Sequence, residues 1–235
     1  MRGLFITGTD TDVGKTFVTS LIARELRRDG VCVGVCKPAC SGAELVDGQP
    51  VWNDIEQLSA AAGVEDRNLI CRQRFLAPLA PPVAAAQAGE TVDEQLCRQT
   101  VSDWKGRCDL LLVEGVGGLL CPLTATNSIA EFAAWAGFPL IVVARLGLGT
   151  INHTLLTLEC AAQRGLHVAG VVLSDGDRLA ETPAGQTNAD ELASRINVPL
   201  LGMVPFGADS VRLRDGITPA RIAWSELADG RPPLS

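Results

Sequence analysis

The chain has 235 residues, enough for one α/β domain with a large hydrophobic core. Its formal net charge of −7 argues against a nucleic-acid-binding surface, because a phosphate backbone attracts clusters of basic residues. No apolar run is long enough for a membrane span. The 8 cysteines are dispersed, and Cys32, Cys36 and Cys40 favour buried small side chains over a metal site. Because a strand begins at the amino terminus and leaves no room for a signal peptide, we expect a cytoplasmic protein with reduced thiols.

The amino-terminal segment predicts a phosphate-binding loop between a strand and a helix. The strand is predicted over Gly3 to Thr7, the loop from Gly8 to Thr16 reads GTDTDVGKT, and the helix is predicted over Gly14 to Asp29. Glycines let backbone N–H groups turn toward an anion, and the helix adds the positive end of its dipole. Lys15 can then reach the β- and γ-phosphates of a nucleotide, and the Thr16 hydroxyl can bind magnesium. Five residues separate the two glycines, one more than in the common form of the loop.

A second strand, predicted over Val31 to Lys37, ends on a lysine. An unpaired ammonium at the end of a buried strand is costly, so Lys37 needs an anion, such as a transferring phosphoryl group or a second substrate. A lysine that reaches solvent is the alternative. Ser41 follows in a loop with glycine and can donate to the same anion. The helix predicted over Asn53 to Ala62 has Asp54 in its first turn, where a carboxylate either stabilises the helix dipole or binds magnesium.

The middle of the chain predicts a helix, Asp93 to Trp104, and then a strand, Asp109 to Glu114. Four apolar residues followed by an acid form a Walker-B-like element, whose carboxylate binds or orders the magnesium of a nucleotide. The glycines of Gly115-Val116-Gly117 allow the backbone to approach phosphate closely. We therefore expect Glu114 to be a magnesium ligand and the turn after it to contact the nucleotide.

A second anion-binding helix start is predicted farther along the chain. A helix, Ser128 to Ala136, and a strand, Leu140 to Ala144, precede the segment GLGTINHT from Gly147 to Thr154, and a helix is predicted over Ile151 to Arg164. Free N–H groups at the start of such a helix form a carboxylate site. His153 can act there as a base or can cap the helix locally, and the sequence favours neither.

The remaining elements complete an α/β pattern. Strands are predicted over Val168 to Leu173 and Leu200 to Val204, and helices over Ala189 to Ile196 and Pro219 to Leu227. Strands rich in Val, Leu and Ile without alternation are typical of a parallel sheet covered on both faces. The predicted fold is α/β, a P-loop-NTPase-like, mostly parallel sheet with helices on both faces. It forms a single domain over 1–228, followed by a flexible tail over 229–235.

Together these motifs resemble the dethiobiotin synthetase family. The match extends over nearly the whole chain, and its most specific parts are the phosphate loop, Cys36 to Gly42, Val113 to Gly118 and Gly149 to Thr154. The resemblance implies a homodimer with the active site at the subunit interface and a cyclo-ligase that uses ATP and Mg²⁺. The implied substrates are 7,8-diaminononanoate and carbon dioxide, which would give dethiobiotin through a carbamate and a carbamic-phosphoric anhydride, with release of ADP and phosphate. No nucleic-acid or membrane partner is expected.

The same resemblance assigns roles to individual residues. It places magnesium on Thr16, Asp54 and Glu114, and it gives Lys15 and Lys37 the stabilisation of phosphoryl transfer. The implied nucleotide site consists of Asp12, Val13, Gly14, Lys15, Thr16, Phe17, Asp54, Glu114, Gly115, Val116, Gly117, Ser174, Asp175, Pro205, Phe206 and Gly207, and the implied diamine site of Thr11, Asp12, Lys37, Ser41, Leu148, Gly149, Thr150 and Asn152. No protein nucleophile is required, because positioning and charge neutralisation can perform most of this chemistry.

Three departures from the family pattern bear on the site. Ser174-Asp175 stands where the family often has an Asn-Asp pair that reads adenine, so the base preference stays open. Pro78 to Pro82 replaces a stretch similar to Pro-x-Ser-Pro-His, which predicts a repacked loop. Val116 replaces an alanine of the glycine-rich turn, a small change.

Three other functions compete with this one. A nucleotide-dependent switch of the chromosome-partitioning type shares the fold but carries an extra lysine near the start of the loop, and none occurs between Met1 and Gly14. A non-catalytic regulatory P-loop module would not need the complete set of Lys15, Thr16, Lys37 and Glu114. An amide-forming ligase of the cobyrinate type would need a glutaminase segment or an ammonia supply, and the sequence contains no candidate glutaminase.

Overall fold

A central sheet of six parallel strands organises the computed structural model, which describes residues 1–176 and 178–230. The strands are β1 (Arg2–Gly8), β2 (Val33–Cys36), β3 (Cys40–Ser41), β4 (Glu44–Val46), β5 (Gln49–Val51), β6 (Arg74–Phe75), β7 (Leu110–Gly118), β8 (Leu140–Arg145), β9 (Val168–Ser174) and β10 (Leu200–Val204). The order in the central sheet is β10-β9-β8-β1-β7-β2, while β3 pairs with β6 and β4 pairs with β5 in two small sheets. The predicted fold class is confirmed.

Helices cover both faces of this sheet. They are α1 (Lys15–Arg28), α2 (Asn53–Ala62), α3 (Arg67–Ile70), α4 (Pro81–Gln87), α5 (Glu94–Ser102), α6 (Ile129–Ala136), α7 (Thr150–Gln163), α8 (Pro183–Arg195) and α9 (Trp224–Leu227), with a 3-10 turn at Leu179–Glu181. None of the described helices is long and apolar enough to cross a membrane.

The central strand β1 explains why the strands are apolar without alternation. Leu4 and Ile6 belong to the core that includes Leu21 of α1, whereas Phe5 belongs to the opposite core and packs edge-on against Phe132 of α6. Successive side chains of a strand point to opposite faces, so a strand buried on both faces is apolar at every position. β1 lies between β7 and β8. The phosphate loop therefore leaves the sheet at its centre.

Several predicted element boundaries were wrong for local reasons. The second strand ends at Cys36 rather than Lys37, because the Lys37 N–H donates to the Ile70 carbonyl, 2.7 Å away, and leaves the ladder. Helix α8 begins at Pro183, well before the predicted Ala189, because the Thr182 hydroxyl caps it. The last helix starts at Trp224 rather than Pro219, since 219 and 220 pair with the strand-like segment at 211–212.

Other elements were not predicted from the sequence at all. They are the short pair β3 and β6, the hairpin β4–β5, and helices α3 and α4. Helix α4 grows directly from the proline-rich stretch, because a proline at the first helical position lacks only an N–H that has no partner there. At the carboxyl end, Asp229 of the predicted tail is ion-paired with Arg2 at 2.6 Å, and 231–235 lie outside the described residues. Cys32 is exposed, contrary to the expectation of burial.

Candidate active site

The phosphate loop wraps around the side chain of its own lysine. Gly14 precedes α1 in a left-handed conformation, with φ at 93°. A Cβ atom there would lie 2.3 Å from Ser174 Oγ, so only glycine fits between the loop and the end of β9. Lys15 is buried, and its Nζ donates to the Asp10 carbonyl at 2.8 Å. This hydrogen bond holds the Lys15 side chain against the backbone of the phosphate loop.

A charged cluster lies beside this loop, where β7 and α2 approach each other. Glu114 is fully buried in β7, and its Oε1 accepts hydrogen bonds from Thr16 Oγ1 at 2.7 Å and from Lys37 Nζ at 2.8 Å. Lys37 Nζ also pairs with the Asp54 carboxylate. The expectation that Lys37 needs an anionic partner is therefore met by two carboxylates of this chain. The structure brings Thr16, Asp54 and Glu114, predicted separately as magnesium ligands, to a single point.

The charges of this cluster depend on one another. Burial alone would lower the pKa of Lys37, but the carboxylates of Glu114 and Asp54 outweigh it and hold that pKa well above its usual value. Burial lowers the pKa of Lys15, with Glu114 opposing and Lys37 reinforcing the shift. Burial would raise the pKa of Asp54, yet Lys37 and Thr16 reverse the effect and lower it. Lys37 therefore stays an ammonium and Asp54 a carboxylate at neutral pH.

The oxygen atoms of the cluster suit a hard divalent cation. Magnesium takes oxygen ligands, commonly one or two carboxylates together with phosphate oxygens and water. Glu114 Oε2 is buried and accepts no hydrogen bond within 1–176 and 178–230, which leaves a carboxylate oxygen free for such an ion. Those same ranges contain no group of three or more His, Cys, Asp or Glu side chains suited to a metal. A cation here would need the substrate's phosphate oxygens as well.

A cavity of about 620 Å³ opens over the cluster and the phosphate loop. Predicted site residues that line it are Thr11, Asp12, Gly14, Lys15, Thr16, Phe17, Lys37, Ser41, Asp54, Gly115, Val116 and Gly117. The cavity is also lined by residues that were not predicted, namely Cys40, Gly42, Asn53, Gln57, Pro78, Leu79, Ala80 and Cys121. Gln57 follows Asp54 by three residues on α2, and helical spacing could have identified it. The loop at 78–80 gave no such signal, because irregular backbone has no period.

The residues expected to read the nucleotide base lie beside the phosphate loop, outside this cavity. Ser174 is buried against Gly14, and Val13 is buried under the loop. Asp175 is also buried, and its carboxylate accepts hydrogen bonds from the N–H groups of Leu179 and Ala180. Both side chains of the pair are thus engaged within the fold. That these two residues contact a base stays a prediction.

After β10, the segment Pro205 to Gly207 presents an aromatic ring toward solvent. Phe206 is exposed, and the guanidinium carbon of Arg178 lies 4.3 Å from its ring centroid. Such cation–π contacts combine a charge with a stacking surface. Gly207 is exposed beside it and Pro205 is half-buried. Phe206 belongs to the predicted nucleotide site, and its ring is an exposed stacking surface there.

The start of α7, the second predicted anion site, is separate from the main cavity. Thr150 and His153 line a small cavity of about 40 Å³ together with Arg145 and phosphate-loop residues that include Thr11. Thr150 Oγ1 is buried and has no hydrogen-bond partner in the part of the chain that the structure describes. Leu148, Gly149 and Asn152 are exposed. Within one chain, therefore, these residues do not meet the lysine and carboxylate cluster.

Comparison with known proteins places this site in a family. A family model described as an AAA domain matches residues 2–213. An ATP-dependent dethiobiotin synthetase from Anaeromyxobacter dehalogenans is 43% identical over 213 residues, which cover 90% of this chain and 93% of that protein. One from Aromatoleum aromaticum is 37% identical, with 95% and 96% covered, and one from Bacillus cereus is 42% identical, with 88% and 84% covered. The chain belongs to the dethiobiotin synthetase family.

Solved structures of other proteins share the fold of this chain. The signal recognition particle receptor FtsY from Elizabethkingia anophelis superposes with a TM-score of 0.57 at 14% identity, covering 97% of this chain and 64% of that one. The septum site-determining protein MinD from Pyrococcus horikoshii, complexed with Mg-ADP, gives a TM-score of 0.52 at 18% identity, covering 98% and 86%. At such identities the likeness shows a common P-loop fold and nothing about activity.

Proposed function

We propose that this protein is an ATP-dependent cyclo-ligase that converts 7,8-diaminononanoate, carbon dioxide and ATP into dethiobiotin, ADP and phosphate. The observation that carries the proposal is the charged cluster, in which the ammonium group of Lys37 pairs with the carboxylates of Asp54 and Glu114 beside the phosphate loop that contains Lys15. The close relatives named above bear this activity in their names. A reaction between two anions needs such positive charge.

Magnesium fits the oxygen donors of the cluster. Thr16, Asp54 and Glu114 would hold it, with the free Oε2 of Glu114 as one available ligand. When bound, Mg²⁺ neutralises charge on the phosphate oxygens of the nucleotide. The hydroxyl of Thr16 already donates to Glu114, so the same two side chains would turn toward the ion together.

The proposed reaction proceeds through three nucleophilic attacks. The 7-amino nitrogen adds to carbon dioxide and loses a proton to give a carbamate, and a carbamate oxygen attacks the γ-phosphorus so that ADP leaves. The 8-amino nitrogen then attacks the carbon of this mixed anhydride and loses a proton, the ring closes as a cyclic urea, and phosphate leaves with its electron pair. No side chain forms a covalent bond. Lys15 would stabilise the transferring phosphoryl group and Lys37 the carbamate, while Ser41 would orient the substrate.

We propose further that two chains build each site. The start of α7 carries free N–H groups that suit a carboxylate, but within one chain it lies outside the main cavity. Leu148 and Leu156 of the same region are exposed, at 87% and 61%. A symmetric dimer would cover these side chains and bring the helix start to the substrate in the partner's cavity.

The decisive experiment measures phosphate release from ATP with and without 7,8-diaminononanoate and bicarbonate, and identifies the product by mass spectrometry. We expect release to depend on both compounds and to equal dethiobiotin formed. A nucleotide switch of the partitioning type would release phosphate without the diamine. The same assay on Lys37→Gln tests the role of that lysine. Lys105→Gln, a change of an exposed lysine outside the cavity, is its matched control. Diamine-independent hydrolysis with no dethiobiotin would refute the proposal.

A further inference from the structure

A buried asparagine holds the turn that leads into α7. Asn188 of α8 is 6% exposed, and its Nδ2 donates to the Gly147 carbonyl at 2.7 Å. The same carbonyl accepts a hydrogen bond from the N–H of Thr150, the first residue of α7, at 3.2 Å. A hydrogen bond between elements this distant in sequence fixes their relative position, because breaking it would leave a buried polar group unpaired.

A leucine side chain packs against the other side of this turn. A Cβ atom on Gly147 would lie 2.7 Å from Leu179 Cδ1, so the leucine touches the backbone of the turn directly. Leu179 is in turn anchored through its N–H, which donates to the Asp175 carboxylate. Asp175 directly follows β9, so this contact ties the turn to the carboxyl end of that strand. The turn is therefore held from α8 and from β9 at once.

We propose that Asn188 is a positioning residue for the carboxylate of the substrate. This inference rests on the proposed function, in which the start of α7 binds that carboxylate. Asn188 acts without touching the substrate. Its side chain fixes the position of the Gly147 carbonyl, and this carbonyl fixes the first turn of α7. This first turn directs the free N–H groups. Anion binding by such groups depends on their convergence on one point, so a shift of the turn weakens it.

The predicted consequence is specific to one substrate. Asn188→Ala should raise KM for the diamine about tenfold, the loss expected for one weakened hydrogen bond to a charged group. Both kcat and KM for ATP should stay within about twofold, because the carboxylate is remote from the reacting amines and binds equally in the ground and transition states. Thr187→Ala, a change of an exposed neighbour on α8 whose hydroxyl donates to the Pro183 carbonyl of its own helix, is the matched control.

A substrate without the negative charge separates positioning from general damage. The methyl ester of the diamine cannot use a carboxylate site, so Asn188→Ala and the unaltered protein should convert it with the same kcat/KM. An equal loss of kcat/KM with the diamine and with its methyl ester would overturn the inference and assign Asn188 a purely structural role. If Asn188→Ala does not fold, Gly147→Ala decides the question by the same criterion, since its methyl group displaces the turn against Leu179. Failure of the unaltered protein to make dethiobiotin would instead overturn the proposed function.

Discussion

Lys37 Nζ lies 2.8 Å from Glu114 Oε1, on the same oxygen that accepts the Thr16 hydrogen bond. The ammonium is nearly fully buried and also pairs with Asp54. A buried carboxylate without a partner is strongly destabilising, so the lysine serves as the counter-ion of both acids. The residue that is proposed to act on the carbamate is therefore also the residue that would compete with a metal ion for Glu114.

The first prediction concerns turnover. Lys37→Gln should lower kcat about 100-fold or more, because it removes a charge that acts on the transition state, while nucleotide affinity changes little. Steady-state rates of dethiobiotin formation and binding of a fluorescent ATP analogue measure the two quantities, with Lys105→Gln as control. A variant that retains more than about half of the turnover would exclude this role for Lys37.

The second prediction follows from the competition for Glu114. Lys37→Met should tighten the binding of a divalent ion in the absence of nucleotide, by about tenfold, because a positive charge beside the two carboxylates is gone. Mn²⁺ can be titrated and followed by electron paramagnetic resonance, which requires no catalysis. Unchanged Mn²⁺ affinity, with Lys105→Met behaving like the unaltered protein, would show that Lys37 and the metal do not share Glu114.

The third prediction is a pH dependence of stability. The pKa of Asp54 is lowered in the fold, chiefly by Lys37 acting against burial. Such a carboxyl stabilises the fold above its unfolded pKa, about 3.9, and the stabilisation is lost as the pH falls through the folded pKa. The free energy of unfolding lost in Asp54→Asn should therefore be largest near about pH 6 and shrink toward about pH 3.

Urea unfolding at several pH values measures this difference. Asp190→Asn is a suitable control, because its ion pair with Arg214 joins two exposed side chains, at 79% and 55%, and such pairs contribute little. A difference for Asp54→Asn that stays constant over this pH range would contradict the assigned interaction with Lys37.

Sequence patterns were informative where one segment contains the whole signal. The phosphate loop with α1, the Walker-B-like strand β7 and helix α2 were predicted because loop glycines, apolar runs and helical period are local. The partners of Lys37 were not, because Asp54 is 17 residues away and Glu114 is 77, and only the packing of α2 against the sheet brings them together. The sequence indicated that Lys37 requires an anion and left the anion open.

The same limit applies to the predicted base site. The family resemblance predicts that Asp175 reads adenine, and nothing local shows that the Leu179 and Ala180 N–H groups bind its carboxylate. Those groups lie at the start of the 3-10 turn, four and five residues after Asp175. An acidic residue at the expected position is therefore insufficient evidence of contact with a base, because neighbouring backbone N–H groups can also bind its carboxylate.

The fourth prediction concerns the nucleotide base. Since Ser174 and Asp175 are engaged within the fold, Ser174→Ala should leave the relative kcat/KM for ATP, GTP and CTP unchanged. Phe206→Ala should raise KM for all three nucleotides, by about tenfold, because stacking on an aromatic ring favours every base alike. Competition assays with the three nucleotides measure both ratios. A large change in selectivity in Ser174→Ala would instead identify the serine as a base contact.

The fifth prediction tests whether two chains share each site. In a symmetric dimer, Lys15→Ala inactivates the phosphate loop of its own chain, whereas Asn152→Ala would damage the carboxylate site that this chain presents to its partner. After subunit exchange between the two variants, each mixed dimer contains one site with both defects and one site with neither. An equal mixture with random pairing should therefore recover about a quarter of the unaltered activity at low diamine concentration. If Asn152 serves its own chain, every site in the mixture carries one defect, and activity stays at the average of the separate variants. Exchange is verified with differently tagged chains, so a mixture that exchanges without recovering activity would rule out the shared site.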